Sequence, residues 1–198
     1  MNVQSKRSVF EPVDKAAFLR FIATEPEGRY EFEGGRIVQQ MAGTLVHYRI
    51  AQRFLLSLLA RIDAARWEVF TDWGVETAKT IRFGDVVVSP TSEANHQRWT
   101  TAPSVIVEVL SPSTVRTDLD IKPTEYLSLG SLQGYIVASQ SEPVCLAWVR
   151  AADCRFPDQP VEFGAGDTIT VDGLQLALAI DDIYRGVELI PADQFPSS

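Results

Sequence analysis

Two carboxylates in this 198-residue chain stand where carboxylates rarely go. Asp85 leads directly into Val86, Val87 and Val88, and Glu108 lies between Val107 and Val109 in the apolar run SVIVEVLS. Taking an ionised carboxylate out of water is expensive unless a partner compensates. One such residue alone reads best as a strand-end aspartate or a glutamate paired with an arginine. Two on neighbouring strands shift the balance toward a metal site, because two hard oxygen ligands suit Mg2+ or Mn2+, with water and substrate phosphate filling the shell. Side chains two apart on a strand share a face, so a cation two residues after Glu108 would stand over the same site. Leu110 occupies that place. The chain has four lysines, Lys6, Lys15, Lys79 and Lys122. Lys122 follows the Glu108 strand closely and heads the next helix, from which it could project back over the strand end. Taken by itself, a solvated helix-end lysine is the simpler reading.

The elements that must position these groups follow from periodicity and punctuation. Helical spacing over DKAAFLRFIATE (14–25) predicts a short helix. EGRYEFEGGRIVQQM (27–41) predicts two strands around Gly34-Gly35. TLVHYRIAQRFLLSLLARIDAA (44–65) is the strongest helix, capped by Thr44, with Leu45, Ile50, Phe54, Leu55, Leu58, Leu59 and Ile62 as its apolar stripe. Residues 67–78 read as two short strands or one bent at Gly74. Strands follow at 82–90 and at SVIVEVLS, separated by a proline-bounded loop over 90–103. Residues 118–129 read as a helix with Pro123 in its first turn. GYIVAS (134–139) and PVCLAWVR (143–150) form a strand pair, one or two strands occupy 160–171, and IDDIYRG ends as a small helix. The order predicts an α/β or α+β fold, a mixed central sheet flanked by helices. A loose arm over 1–12, one domain over 13–190 and a tail over 191–198 are expected.

Composition narrows the function. A net charge of -8 argues mildly against nonspecific coating of nucleic acid, though not against a local basic groove. The two cysteines, Cys145 and Cys154, form no C-x-x-C and imply free thiols rather than zinc or a disulfide framework. The N-terminus lacks an apolar signal core and no run is long enough to span a bilayer, so a cytoplasmic protein with no membrane partner is expected. No P-loop, dinucleotide turn or G-x-S-x-G is present, which argues against an NTP-driven enzyme or a serine hydrolase.

YEFEGGRIV, MAGTLVHYRI, GDVVVSP, PSVIVEVLSPST, then D-x-x-x-K-x-x-x-Y across Asp118, Lys122 and Tyr126, and GYIVAS resemble, in order, the Uma-two family of endonucleases. That family belongs to the PD-(D/E)XK, or restriction-endonuclease-like, superfamily. The likeness runs from about Ala16 to about Tyr184, and EVLSPST is its most specific piece. It implies a mixed four- or five-stranded sheet with helices on both sides, and divalent-metal-dependent hydrolysis of DNA. By this resemblance Asp85 and Glu108 match the metal ligands, with Mg2+ or Mn2+ as cofactor. Lys122 stands in for the lysine absent at Leu110, a replacement usual for this branch. Glu31 matches an N-terminal glutamate near the metal, and His47 a histidine facing the same site. The proline expected before the motif aspartate is Gly84. An ordinary hairpin residue is the alternative for Glu31, and a histidine satisfied by a neighbour is the alternative for His47. Glu33 is a near substitute for Glu31, and at most one of the two is expected to face the site. Arg49, Arg53 and Arg61 on the long helix, with Arg116, are the candidates for contact with the DNA backbone, or else a solvated helix face. A homodimer is a habit of the superfamily. Two other functions stay open: a catalytically inert nuclease-fold binding or assembly module, and a metal-dependent hydrolase of a small phosphate or nucleotide.

Overall fold

The computed structural model describes residues 12–24, 27–40, 42–91, 96–111, 115 and 117–194. Helix α1 (Lys15–Ala23) is capped by Asp14, whose carboxylate accepts the Ala17 N–H. Strands β1 (Arg29–Glu33) and β2 (Ile37–Gln40) form the expected hairpin. Its two turn residues take φ +53° at Gly34 and +99° at Gly35, a double left-handed turn that side chains resist. Helix α2 (Leu45–Leu59) starts at the Thr44 cap and stops earlier than its pattern suggests. Asp63 accepts the Ala65 N–H through its side chain and the Arg66 and Trp67 N–H groups through its carbonyl, closing a turn that competes with further helix. The buried stripe is Val46, Ile50, Ala51, Phe54 and Leu58, whereas Leu45 and Leu59 face outward.

Strand β3 (Trp67–Glu76) is continuous, and its local distortion sits at Asp72, φ +52°, rather than at Gly74. It pairs along the length of β4 (Thr80–Pro90). The segment expected to be a loop contributes β5 (Trp99–Thr100), parallel to β3. Strand β6 (Val105–Val109) is buried throughout. A π-helical turn (Thr117–Ile121) then feeds α3 (Lys122–Tyr126), with Pro123 in its first turn, so the 118–129 helix is shorter and split. Strands β7 (Gly134–Ala138), β8 (Cys145–Val149), β9 (Val161–Phe163), β10 (Thr168–Val171) and β11 (Leu176–Ala179) follow, then α4 (Ile180–Tyr184). Within the expected tail, Ala192–Gln194 makes a single 3-10 turn.

The main sheet runs β2-β1-β4-β6-β7-β8-β9, with β3 on the other edge of β4 and β5 beyond it. The nine strands exceed the four or five implied by the resemblance, because the hairpin, β3, β5 and β9 extend a smaller core. Among the described residues only β6–β7 and β3–β5 are parallel, so the sheet is mixed. Helix α2 covers one face, against Val86, Val88, Val105, Val107 and Val109. The other face carries Val87, Ile106, Tyr135 and Val137 under Tyr126 of α3. Burying such a face removes roughly 25 cal/mol of instability per Å2 of apolar surface.

The two thiols lie in opposite settings. Cys145 is buried on β8, and desolvation pushes its pKa up to about 12, while Cys154 is exposed. A thiol-specific reagent at pH 8 should therefore titrate one thiol in the native protein and two after denaturation. Two fast-reacting thiols in the folded chain would contradict this burial.

Candidate active site in a forked sheet

Strand β4 carries β3 along one edge, and β1 and β6 share the other. The β1 pairing ends at Ile81, and the β6 pairing begins at Val86. Residues 82–85 thus lie in a fork where, among the described residues, no third strand supplies backbone partners. Side chains fill that role. Glu31 of β1 accepts the Phe83 N–H at 2.9 Å, and Asp85 accepts the Val109 N–H at 2.7 Å. Gly84 lacks the room for a side chain, since a Cβ there would come within 2.7 Å of Val87 and 3.2 Å of Ile106. The residue standing in place of the expected proline is therefore set by close packing.

The fork opens into a cleft of about 400 Å3 that brings together Glu31, His47, Asp85, Glu108, Asp118 and Lys122. All five catalytic candidates named from the sequence line this one cleft. His47 Nε2 lies 3.2 Å from Asp85 Oδ1. Lys122 Nζ sits 2.8 Å from Glu108 Oε1 and 2.9 Å from Asp118 Oδ1. The lysine is 5% exposed, so it is a buried cation rather than a solvated helix end. Its path back to β6 depends on the π-helical turn, a feature often found at functional sites. Glu108 and Lys122 meet as their strand-to-helix order suggested, and among the described residues no arginine takes the glutamate.

Electrostatics in the cleft are tense. Burial raises the Glu108 pKa well above its ordinary value, and the charges of Asp85 and Asp118 add to the rise against the pull of Lys122. Burial likewise raises Glu31, opposed by Lys122, the Phe83 N–H and Arg82. Burial pulls the Lys122 pKa down, yet Glu108 and Asp118 outweigh it and hold the ammonium protonated. Acidic groups outnumber cations here, which is the setting a divalent ion relieves. Among the described residues no three His, Cys, Asp or Glu side chains form a preformed metal cage. The donor set still fits Mg2+ or Mn2+, which take one or two carboxylates and leave the remaining positions to water and phosphate.

Three residues to which the sequence assigns no role in the site also belong to it. Asp118, 2% exposed, clamps Lys122 from the side opposite Glu108. The D-x-x-x-K spacing carried that signal, because residues four apart on a helix meet. Arg82 is a fully buried guanidinium. It grips Glu125 through Nε (2.6 Å) and Nη2 (3.0 Å), and reaches Glu31 (3.2 Å) and Glu33 (2.7 Å) through Nη1. Glu33 thus joins Glu31 instead of excluding it, since residues two apart on a strand project to one face. Gln140, also buried, donates to the Leu110 carbonyl and accepts from the Thr44 hydroxyl, tying the α2 cap to the exit of β6. Of the arginines proposed for nucleic-acid contact, Arg49 is exposed and Arg53 half-buried on α2, neither of them lining the cleft. Arg61 pairs with Asp182 at 2.8 Å. Arg116 lies outside the described residues.

A mixed sheet forked at its centre, covered by helices on both faces, with two carboxylates and a lysine in the fork, defines a restriction-endonuclease-like α/β fold. The same fold is found in the crystal structure of a "putative nuclease belonging to DUF820" from Anabaena variabilis, with a TM-score of 0.72 and 18% identity over 87% of this chain and 98% of that one. An uncharacterized protein of Synechocystis sp. is 25% identical over 191 residues, spanning 94% of this chain and 99% of the relative. The Uma2 family, described as "Putative restriction endonuclease", matches residues 16–181. The chain belongs to that family. Among the described residues no helix is long and apolar enough to cross a membrane.

Proposed function

We propose that this protein is a divalent-metal-dependent endonuclease that hydrolyses phosphodiester bonds in DNA. The observation that carries the reading is the return of Lys122 to Glu108, at 2.8 Å, in the cleft that also holds Asp85. That contact restores a cation beside the second carboxylate where Leu110 leaves none. Asp85 and Glu108 would hold Mg2+ or Mn2+. Bound there, the ion supplies a Lewis acid for the scissile phosphate and a lowered pKa for an attacking water.

The chain's own groups do the rest. Lys122 keeps its proton, so it serves as a fixed positive charge for the oxygens that gain charge in the transition state, and not as a base. Asp118 positions that ammonium by holding its other side. His47 faces Asp85 and is placed to bond a phosphate oxygen or relay a proton. Glu31 fixes the edge of β4 beside the metal ligands through the Phe83 N–H.

The test is cleavage of plasmid and single-stranded DNA with Mg2+ or Mn2+, comparing wild type with Asp85→Ala and Glu108→Ala. Either substitution should lower the rate at least about a hundredfold, with melting curves confirming that the variants fold. EDTA should abolish cleavage in the wild type. Equal cleavage by all three proteins would sink the assignment. No cleavage by the folded wild type would favour an inert nuclease-fold module, for which the buried Lys122 cluster is only structural.

A further inference from the structure

A second cavity of about 470 Å3 adjoins the cleft. Arg29 and Phe83 line both, so one wall separates the two spaces. Phe83, which lines both spaces, is two residues from Asp85 on β4, ~7 Å along the strand. The cavity is therefore within reach of the nucleoside attached to a phosphate held at Asp85.

Its walls are aromatic. Tyr30, Trp73, Phe83 and Trp99 all line it, and each is only half-buried. Separate elements bring them together: β1 gives Tyr30, β3 Trp73, β4 Phe83 and β5 Trp99. Trp99 reaches the wall because Gly74 leaves room, as a Cβ at Gly74 would come within 2.7 Å of the Trp99 Cβ. Trp73's buried indole N–H has no acceptor among the described residues. Arg29 adds a guanidinium at the rim, ion-paired to Asp72. Flat rings with a cationic edge beside a phosphate site suit a nucleobase, since every base offers a π-face and stacking does not require a sequence. A base inside a duplex cannot reach such a wall without leaving the stack.

We infer that this cavity binds one unpaired nucleobase next to the phosphate in the Asp85 cleft, so that the protein prefers single-stranded or locally unpaired DNA. The inference rests on reading that cleft as a nucleic-acid phosphodiester site. It explains how an acidic chain without a basic tract can hold nucleic acid: stacking supplies affinity that surface charge does not.

The test uses the full chain in EDTA, with fluorescence anisotropy of a labelled single-stranded thymidine 12-mer. A 12-mer of the same backbone with every base removed and the corresponding duplex are compared. The intact single strand should bind most tightly. Trp99→Ala and Tyr30→Ala should weaken it on the order of tenfold, with Trp99→Phe close to wild type. The abasic strand should lose affinity with unmodified protein, an arm that depends on no variant folding. Equal binding of intact and abasic strands, duplex binding at least as tight, or no single-strand binding would overturn the inference. Binding is read without metal, so the two claims fail separately. Stacking without cleavage removes only the nuclease reading. Cleavage that needs Asp85 but ignores Trp99 and the loss of the bases removes only the base pocket.

Discussion

Replacing Lys122 by methionine should lower stability by about 3–5 kcal/mol and abolish cleavage, because it leaves Glu108 and Asp118 buried without their cation. In a chain of this size that is a fall of roughly 6–20 °C in melting temperature. The pH dependence follows from the shifts. A lysine whose folded pKa is raised adds stability at every pH below its ordinary range of about 10.4, and loses it only above that. Glu108 is raised too, and its contribution has the same sign in a lower window: it is fully present below the ordinary carboxylate range and is lost as pH rises through the folded value. Without Lys122 that value climbs further. The gap between wild type and Lys122→Met should thus be widest near pH 8 and narrow toward pH 5. Adding Glu108→Gln to Lys122→Met should recover much of the stability and none of the activity. Thermal melts at both pH values, paired with plasmid cleavage, read both effects. A Lys122→Met protein that melts like wild type at pH 8 would show that the cation does not offset the buried carboxylates.

Arg82→Met should be as damaging to the fold. The guanidinium is buried against three carboxylates from two elements, Glu31 and Glu33 on β1 and Glu125 on α3. Attraction from these groups overcomes burial and raises its pKa further above a value already high. Removing it strands Glu31 and half-buried neighbours at the fork, a loss of about 3–5 kcal/mol. The readouts are urea unfolding and hydrogen exchange, with amides of β1 and α3 losing protection ahead of β6 and β7. Because Glu31 carries the Phe83 N–H, cleavage should fall as well. Unchanged exchange in β1 would show that the hairpin is held by its apolar contacts with Phe18 and Ile81 instead.

Much of the architecture was legible because local rules decide it. The Gly34-Gly35 hairpin, the Thr44 cap and the apolar β6 and β7 runs are each set by residues close in sequence. Short or competing segments were not. Strand β5 has two residues and exists because Gly74 admits Trp99, and β11 appears only beside β10. Helix α2 stopped early because Asp63 turns the chain, a local bond that periodicity does not register.

For the site, the sequence alone determined the unusual groups: two carboxylates in apolar strands and one lysine at the head of the following helix. Burying a charge is costly, so its presence in such a run marks a requirement that no folding detail can hide. What only the tertiary structure decided is which groups share the burden. The fork between β1 and β6 exposes the edge of β4 and hands its backbone to Glu31 and Asp85. Asp118, which the sequence marks only by its spacing from Lys122, and Arg82, which it does not mark, become the partners that hold Lys122 and Glu31 in place. Pairing between distant charges depends on distance and dielectric, and both are set only when the strands and α3 come together.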